Sequence, residues 1–600
     1  MNVQDDAGAA AFGPWNPGLT SQVPHAIAHL ATIFRPENVF TQLSDARELA
    51  DLTGLRLTEL VVFRPQRLAL HEVLVRVMAD FSVPDGSKIE DLGINFRAIV
   101  RTVMMRYVEP RMDVVTAAYD NAKSELAARV DVELAALMGT PANPPSSPAR
   151  RSWLDAVLGR RSAEAPLADR AREWDASIIA RWDDRARSGD DDVDRAACRA
   201  LARVVAALLS RHGRPWGTRE IIASLATGIA SNELGADRIG AILDPILDEA
   251  AEREGFRHVP HQASPVVMNT KGPSASGKST LRPLQRQLAG RIGVDWTEFA
   301  LISPDIWRKQ LLDYAALGDA YKYAGAFTGD EVHIVDLKLD RYMAKKAERG
   351  GMTHLLIDRF RFDSFAPDSA EAGSNLLTRF GHIVYLFFMV TPPASLVERA
   401  WTRGLEVGRY KAVDDVLAHG VEAYAGMPGL FFTWANRTDK RVHFEFLDNS
   451  VAPGERPRTV AFGWNDTLNV LDVSRMLDIE RYQRVDTDAR GADSLYPDDA
   501  PLDPAANAAF LVECARRFRE VNFADQANGR IYARIASGDI AWIDAEALLT
   551  AASDPDTRAG LAVVAPGIFE RSWPSAKHPE FVAENMGRDL IHTLGQWDAV

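Results

Sequence analysis

Residues 259–486 predict an α/β fold of the P-loop NTPase class, a parallel sheet with helices on both faces, flanked by mainly helical N- and C-terminal domains. Three observations predict it. Between Pro265 and Asn449 short continuous apolar runs, PVVM, FALI, HLLID, IVYLFFMV and VHFEFLD, alternate with helix-period segments, the pattern of βαβ units whose strands are covered on both faces. The stretch Gly272, Pro273, Ser274, Ala275, Ser276, Gly277, Lys278, Ser279, Thr280 follows the first run directly and contains Gly-x4-Gly-Lys-Ser. Outside this region, segments such as RLALHEVLVRVMADF and CRALARVVAALLSRH repeat apolar residues at three and four, the period of a helix face.

The elements are ordered as follows. Residues 1–139 read as an N-terminal helical domain, and TPANPPSSPA opens a Pro/Ser-rich linker over 140–152. A second helical region spans 153–258, interrupted by the acidic run SGDDDVD, which reads as a solvated loop. The nucleotide-binding domain occupies 259–486, an acidic linker follows at 487–504, and 505–600 read as a C-terminal helical region.

Composition narrows the class. At 600 residues the chain exceeds one hydrophobic core and implies about three to five compact units. Only Cys198 and Cys514 are present, so a disulfide framework is excluded and a reducing compartment fits. No run approaches the ~20 apolar residues that cross a bilayer, and the N-terminus lacks a secretory signal, so the expected location is the cytoplasm without membrane attachment. A receptor-read export signal would leave little compositional trace, and export as an effector stays open. The net charge is −14, yet residues 261–450 hold 23 Lys/Arg against 22 Asp/Glu. A near-neutral module argues against a nucleic-acid partner, which needs a basic surface.

The loop from Gly272 to Thr280 aims backbone N–H groups at a polyphosphate, Lys278 adds a point charge, and Ser279 is placed to ligate a metal, so ATP and Mg²⁺ are the expected cofactors. Ligands of open α/β sheets sit at the carboxyl ends of strands, which directs attention to polar residues after each apolar run. Asp305, after FALI, is the candidate general base; Ser303 and Pro304 before it equally suit a helix start, and both roles are compatible. Asp358 ends HLLID, where a carboxylate can hold the Mg²⁺ shell or orient an acceptor, and Arg361 follows as a second acceptor contact. Arg399, Arg403, Arg409 and Lys411 lie on and after one helix; Arg399 and Arg403 share a face and could bring two guanidinium groups over the phosphates as a lid. The insertion YKYAGAFTGDEVH, with Tyr321 and Tyr323, could line an acceptor pocket.

In this order the residues resemble the zeta toxin family, kinases that phosphorylate UDP-N-acetyl sugars, and more distantly the phage-type polynucleotide 5′-kinases. The resemblance covers about residues 262–450. GPSASGKST resembles the family loop, LISPDIWRKQL the segment whose aspartate, here Asp305, acts as base, and MTHLLIDRFRF the strand that ends in an acid, onto which Asp358 and Arg361 fall. VTPPASLVERAWTRGLEVGRYK resembles the lid, with Arg403 and Arg409 at its phosphate-contacting positions, and PGLFFTWANRTDKRVHFEFLDNS the final strand and its approach. The family's glutamate after the second strand is Asp358 here, its Gly-Thr turn is Arg359-Phe360, and for the acid of the preceding helix only Asp340 is nearby. The resemblance implies transfer of the ATP γ-phosphate to a small acceptor of nucleotide-linked, UDP-N-acetyl-sugar-like type, with an antitoxin or an intramolecular inhibitory domain as partner. A polynucleotide 5′-kinase would share the loop and the aspartate, and a nucleotide-gated interaction protein would share the loop alone.

Overall fold

A computed structural model describes residues 12–138, 167–214, 218–359, 378–452, 454–570 and 578–597. Arg361 and the linker expected at 140–152 lie outside the described residues. The chain divides into two compact units, one of Met1–His25, Val75–Ala98 and Phe256–Val600, the other of Ala26–Leu74 and Ile99–Gly255.

The second unit is helical. Its long helices run over Met112–Met138, Leu167–Ser188, Asp192–His212 and Arg219–Glu254. Leu126, Val130 and Leu134 on one helix, and Leu201, Val205 and Leu208 on another, recur at three and four and form its core. The acidic run SGDDDVD is not simply a solvated loop: the Asp191 carboxylate accepts from the backbone N–H groups of Val193 and Asp194 and caps the next helix. Asp194 then joins Glu133, Arg129 and Arg185 in one ion network. Neighbouring arginines neutralise Asp194, while Asp190 and Asp191 stay exposed.

The first unit is built on one ten-stranded sheet. Its strands are β1 (Val266–Lys271), β2 (Phe299–Ile302), β3 (His354–Asp358), β4 (Ile383–Val390), β5 (Arg441–Asp448), β6 (Arg458–Trp464), β7 (Thr467–Val470), β8 (Glu520–Ala524), β9 (Ile531–Ala536) and β10 (Asp539–Ile543). Their order is β10-β9-β8-β7-β6-β5-β4-β1-β3-β2. The five runs read as strands are β1 to β5, and β2-β3-β1-β4-β5 pair in parallel. After β1 the chain first lays down β2 at the sheet edge and returns to β3 beside β1, then crosses to the other side of β1 for β4 and β5. The carboxyl end of β1 is therefore a topological switch point, where open α/β sheets bind ligands.

The C-terminal region differs from the expectation. Residues 505–600 are not mainly helical: β8, β9 and β10 extend the same sheet beyond the β6–β7 hairpin. The core is continuous across the expected linker. Phe431, fully buried on the helix Val413–Ala435, lies with its ring 4.8 Å from Phe444, 5.6 Å from Phe510 and 5.5 Å from Phe518. A core that joins residues of 384–446 to residues of 508–568 removes the reason for a separate C-terminal domain.

N-terminal residues complete this unit. Asp80 accepts from Tyr342 and Lys346, Asp85 pairs with Arg286 of the helix after the glycine-rich loop, and Arg97 donates to the Ile306 carbonyl at 3.4 Å. Lys322 donates to the Pro17 carbonyl and Ser21 to Asp414.

On β5 the fully buried Glu445 carboxylate accepts from the backbone N–H groups of Leu594 and Gly595 and from the Thr459 hydroxyl. Burial pushes its carboxyl up to about 7, against the pull of those three donors. A raised acid pKa means the folded chain holds a proton that the unfolded chain releases near its ordinary value of 4.5. This contribution is complete below about pH 4.5 and is lost as pH rises through 7. Relative to Glu445→Gln, the wild type should therefore lose about 3 kcal/mol between pH 4.5 and 7.5. Urea denaturation across that range measures it, and parallel pH profiles for the two proteins would refute it.

Candidate active site

The site grows from the end of β1, whose six residues are all buried. The chain then turns through Gly272–Gly277 into a short helical turn, Lys278–Leu281, that leads into the helix Arg282–Arg291. Gly277 has φ 92°, and a Cβ there would strike the Asn449 amide. Only glycine fits, because the loop backbone must pass this close to the end of β5. Asn449 Nδ2 donates to the Ser276 carbonyl at 2.7 Å and pins the loop from that side.

Within the loop Lys278 Nζ donates to the carbonyls of Gly272 and Pro273, at 3.0 and 2.8 Å. Burial lowers its pKa, opposed by the carboxylates of Asp358 and Asp305, so both acids lie within electrostatic reach of the lysine. Ser279 Oγ donates to Asp358 Oδ2 at 2.8 Å. This joins the expected metal ligand, in the helical turn after the loop, to the carboxylate that ends β3, the strand beside β1, where Thr270 pairs with Asp358.

Asp305 follows β2 in a helical turn, Pro304–Trp307. Ser303 makes no side-chain capping bond, and neither Asp305 oxygen is bonded to backbone. Its Oδ1 accepts from Arg308 Nε at 2.9 Å and its Oδ2 from Arg409 Nη2 at 2.8 Å, while the side chain stays half exposed. Burial acts to raise its pKa, but Arg409 and then Arg308 outweigh it and hold the carboxyl well below the usual range.

Arg403 and Arg409 come from the helix Pro393–Val407, expected from the sequence to act as a lid, and from the residues after it. Leu396, Val397 and Ala400 pack its apolar face against Val413, Val416 and Leu417, which turns Arg403 toward the loop. Arg403 Nη2 reaches Ser274 Oγ at 3.5 Å. Burial, with the repulsion of Arg409, brings its guanidinium down to about 10 despite Asp305. Gly408, left-handed at φ 71°, ends the helix and releases Arg409 toward Asp305.

Arg399 does not bond to the glycine-rich loop. Its Nη2 donates to the carbonyls of Asn449 and Val451, so it ties the lid helix to the loop after β5. Asp340 lies away from the loop as well: with Asp336 it pairs with the buried Arg359, each at 2.6 Å. Lys411 pairs with Asp415 and His419 and is pushed down to about 8, chiefly by burial. Tyr321 packs edge-on against Tyr410 at 5.7 Å, and the Tyr323 hydroxyl accepts from the Thr20 backbone N–H at 3.4 Å.

Two site residues escaped the sequence reading. Arg308, three positions after Asp305, carries the i,i+3 spacing of an ion pair and was legible on that ground. Asn449 carries no local signal, since its loop partner is 173 residues away. A surface pocket lined by Arg441, Trp464, Arg519 and Asn585 lies at the opposite, amino-terminal end of β5 and plays no part in this constellation. Among the described residues, no helix is long and apolar enough to cross a membrane, and no group of three or more His, Cys, Asp or Glu could hold a metal ion. Comparison with family models, curated proteins and solved structures finds no match.

Proposed function

We propose that the protein is an ATP- and Mg²⁺-dependent kinase of zeta toxin type, transferring the γ-phosphate to a hydroxyl of a small, nucleotide-linked acceptor of UDP-N-acetyl-sugar-like chemistry. The observation that carries the reading is the convergence of Lys278, Ser279–Asp358, Arg403 and the Asp305–Arg409 pair around one loop at the switch point of the sheet. The residues present fit the donor. The Ser276 hydroxyl, within the loop, and Nε of Arg403, whose Nη2 reaches Ser274 of the loop, are buried without a hydrogen-bond partner. An unpaired buried guanidinium nitrogen is costly unless an anion meets it.

Each residue then has a task. Backbone N–H groups of the loop and Lys278 hold the β- and γ-phosphates, and Arg403 neutralises charge that develops on the transferred group. Ser279 and Asp358 would hold Mg²⁺, whose positive charge would offset that of the phosphates. Asp305 accepts the proton of the acceptor hydroxyl while that oxygen bonds to the γ-phosphorus and the bond to ADP breaks. Near-neutral charge over 261–450 favours a small acceptor over a polynucleotide.

The test is mass spectrometry of a cell metabolite extract incubated with the full chain, ATP and Mg²⁺. A phosphate adduct absent with Lys278→Ala is expected and names the acceptor. Identical extracts from wild type and variant would overturn the kinase reading.

A further inference from the structure

Asp305 is held by two arginines that differ in how firmly they are themselves held. Arg308 has three anchors: Nε on Asp305 Oδ1, and Nη1 on both the Gly325 carbonyl at 2.8 Å and the Thr328 hydroxyl at 2.9 Å. Thr328 is buried and donates in turn to the Ala324 carbonyl, so the guanidinium sits in a fixed frame. Arg409 lies beyond the end of the lid helix, past the left-handed Gly408, and among the described residues its one hydrogen bond is to Asp305. The two pairs occupy one oxygen each. A carboxylate engaged on both oxygens by guanidinium groups is a poor acceptor for a hydroxyl proton.

We propose that the two arginines divide the work: Arg308 is a fixed positioning residue for Asp305, whereas Arg409 is a latch that donor phosphate draws away, so that nucleotide binds before Asp305 can take the acceptor's proton. The inference rests on the kinase reading above. A phosphate carries more charge than a carboxylate and offers three oxygens, so it competes for the guanidinium that is less tied down. Arg403, six residues earlier on the same lid, already reaches the loop at Ser274, which sets the direction in which Arg409 would swing. Pairing with the donor thereby frees Oδ2 while Arg308 keeps Oδ1 aimed. The base has a free oxygen only when there is a phosphoryl group to transfer.

The test needs no acceptor. Binding of Mg²⁺ with the non-hydrolysable analogue AMP-PNP is measured by calorimetry for wild type, Asp305→Asn, Arg409→Gln and the double variant. Asp305→Asn should bind more tightly, because Arg409 no longer has to leave a carboxylate. Arg409→Gln should then weaken binding about five-fold or more beyond its effect in the wild type, the coupling expected of residues in direct contact. Independent, multiplying effects would overturn the latch. Arg308→Gln, with Arg308→Lys as the substitute if the first fails to fold, should show no such coupling to Asp305→Asn; coupling equal to that of Arg409 would overturn the division of roles. A wild type that does not bind AMP-PNP would instead refute the nucleotide reading, and the latch with it.

Discussion

Asp305→Asn should lower the rate of phosphate transfer by about 10²–10⁴-fold, the usual contribution of a positioned general base, while AMP-PNP still binds. The structure separates this outcome from a structural defect. The Asp305 carboxylate caps no helix, since Ser303 makes no side-chain cap and both Asp305 oxygens face arginine side chains. Its side chain is half exposed, so no packing is lost. An asparagine can still accept from Arg308 through its amide oxygen, but it cannot take a proton. The rate at which the phosphate adduct accumulates in the metabolite extract measures the effect, with a thermal melt as the control for folding. Unchanged turnover would remove Asp305 from the chemistry.

The parts of the fold legible in the sequence are those where one physical signal dominates. Strands β1 to β5 read as continuous apolar runs because both their faces are covered; β4, all apolar from Ile383 to Val390, is the clearest. Strands β7 to β10 mix that signal with polar residues. Asn469 and Asn522 are fully buried in the sheet and bonded to each other at 3.1 Å, and Arg534 donates to Asn522 at 2.7 Å. A polar ladder satisfied inside the sheet looks, in sequence, like a solvent face. The turn glycines Gly529 and Gly538, both with positive φ, were the remaining clue to the hairpins. In the site, Lys278, Ser279, Asp305, Asp358, Arg403 and Arg409 could be found because loop consensus and strand ends locate them. Arg399, expected beside Arg403, bonds instead to the carbonyls after β5. A spacing of four puts it on the face of Arg403, but helical period does not say which end of that face meets the phosphates and which meets the carbonyls after β5.

Asp340→Ala should destabilise the sheet unit by about 3–5 kcal/mol, because it strips one of two counter-charges from a guanidinium that cannot reach water. Arg359 is 3 % exposed and Asp340 likewise 3 %. Burial disfavours the charged guanidinium, and Asp336 and Asp340 together outweigh that cost and raise its pKa. Contrast Arg437 with Asp439, a pair of similar length at 2.6 Å but with the aspartate 54 % exposed. Asp439→Ala there should leave the midpoint of unfolding nearly unchanged, since water replaces what the variant removes. Urea denaturation of both variants makes the comparison, read in the transition of the sheet unit because the chain has two compact units. A loss below about 1 kcal/mol for Asp340→Ala would show that Arg359 reaches solvent. The triad joins the helix Gly329–Glu348 to the residue after Asp358, so the same variant should also loosen the carboxylate that meets Ser279. Replacing Arg359 and both aspartates together by apolar residues of similar size should restore much of the stability, because no buried charge is then left alone. If it restores nothing, the attraction within the triad, and not the orphaned charge, is what the single variant loses.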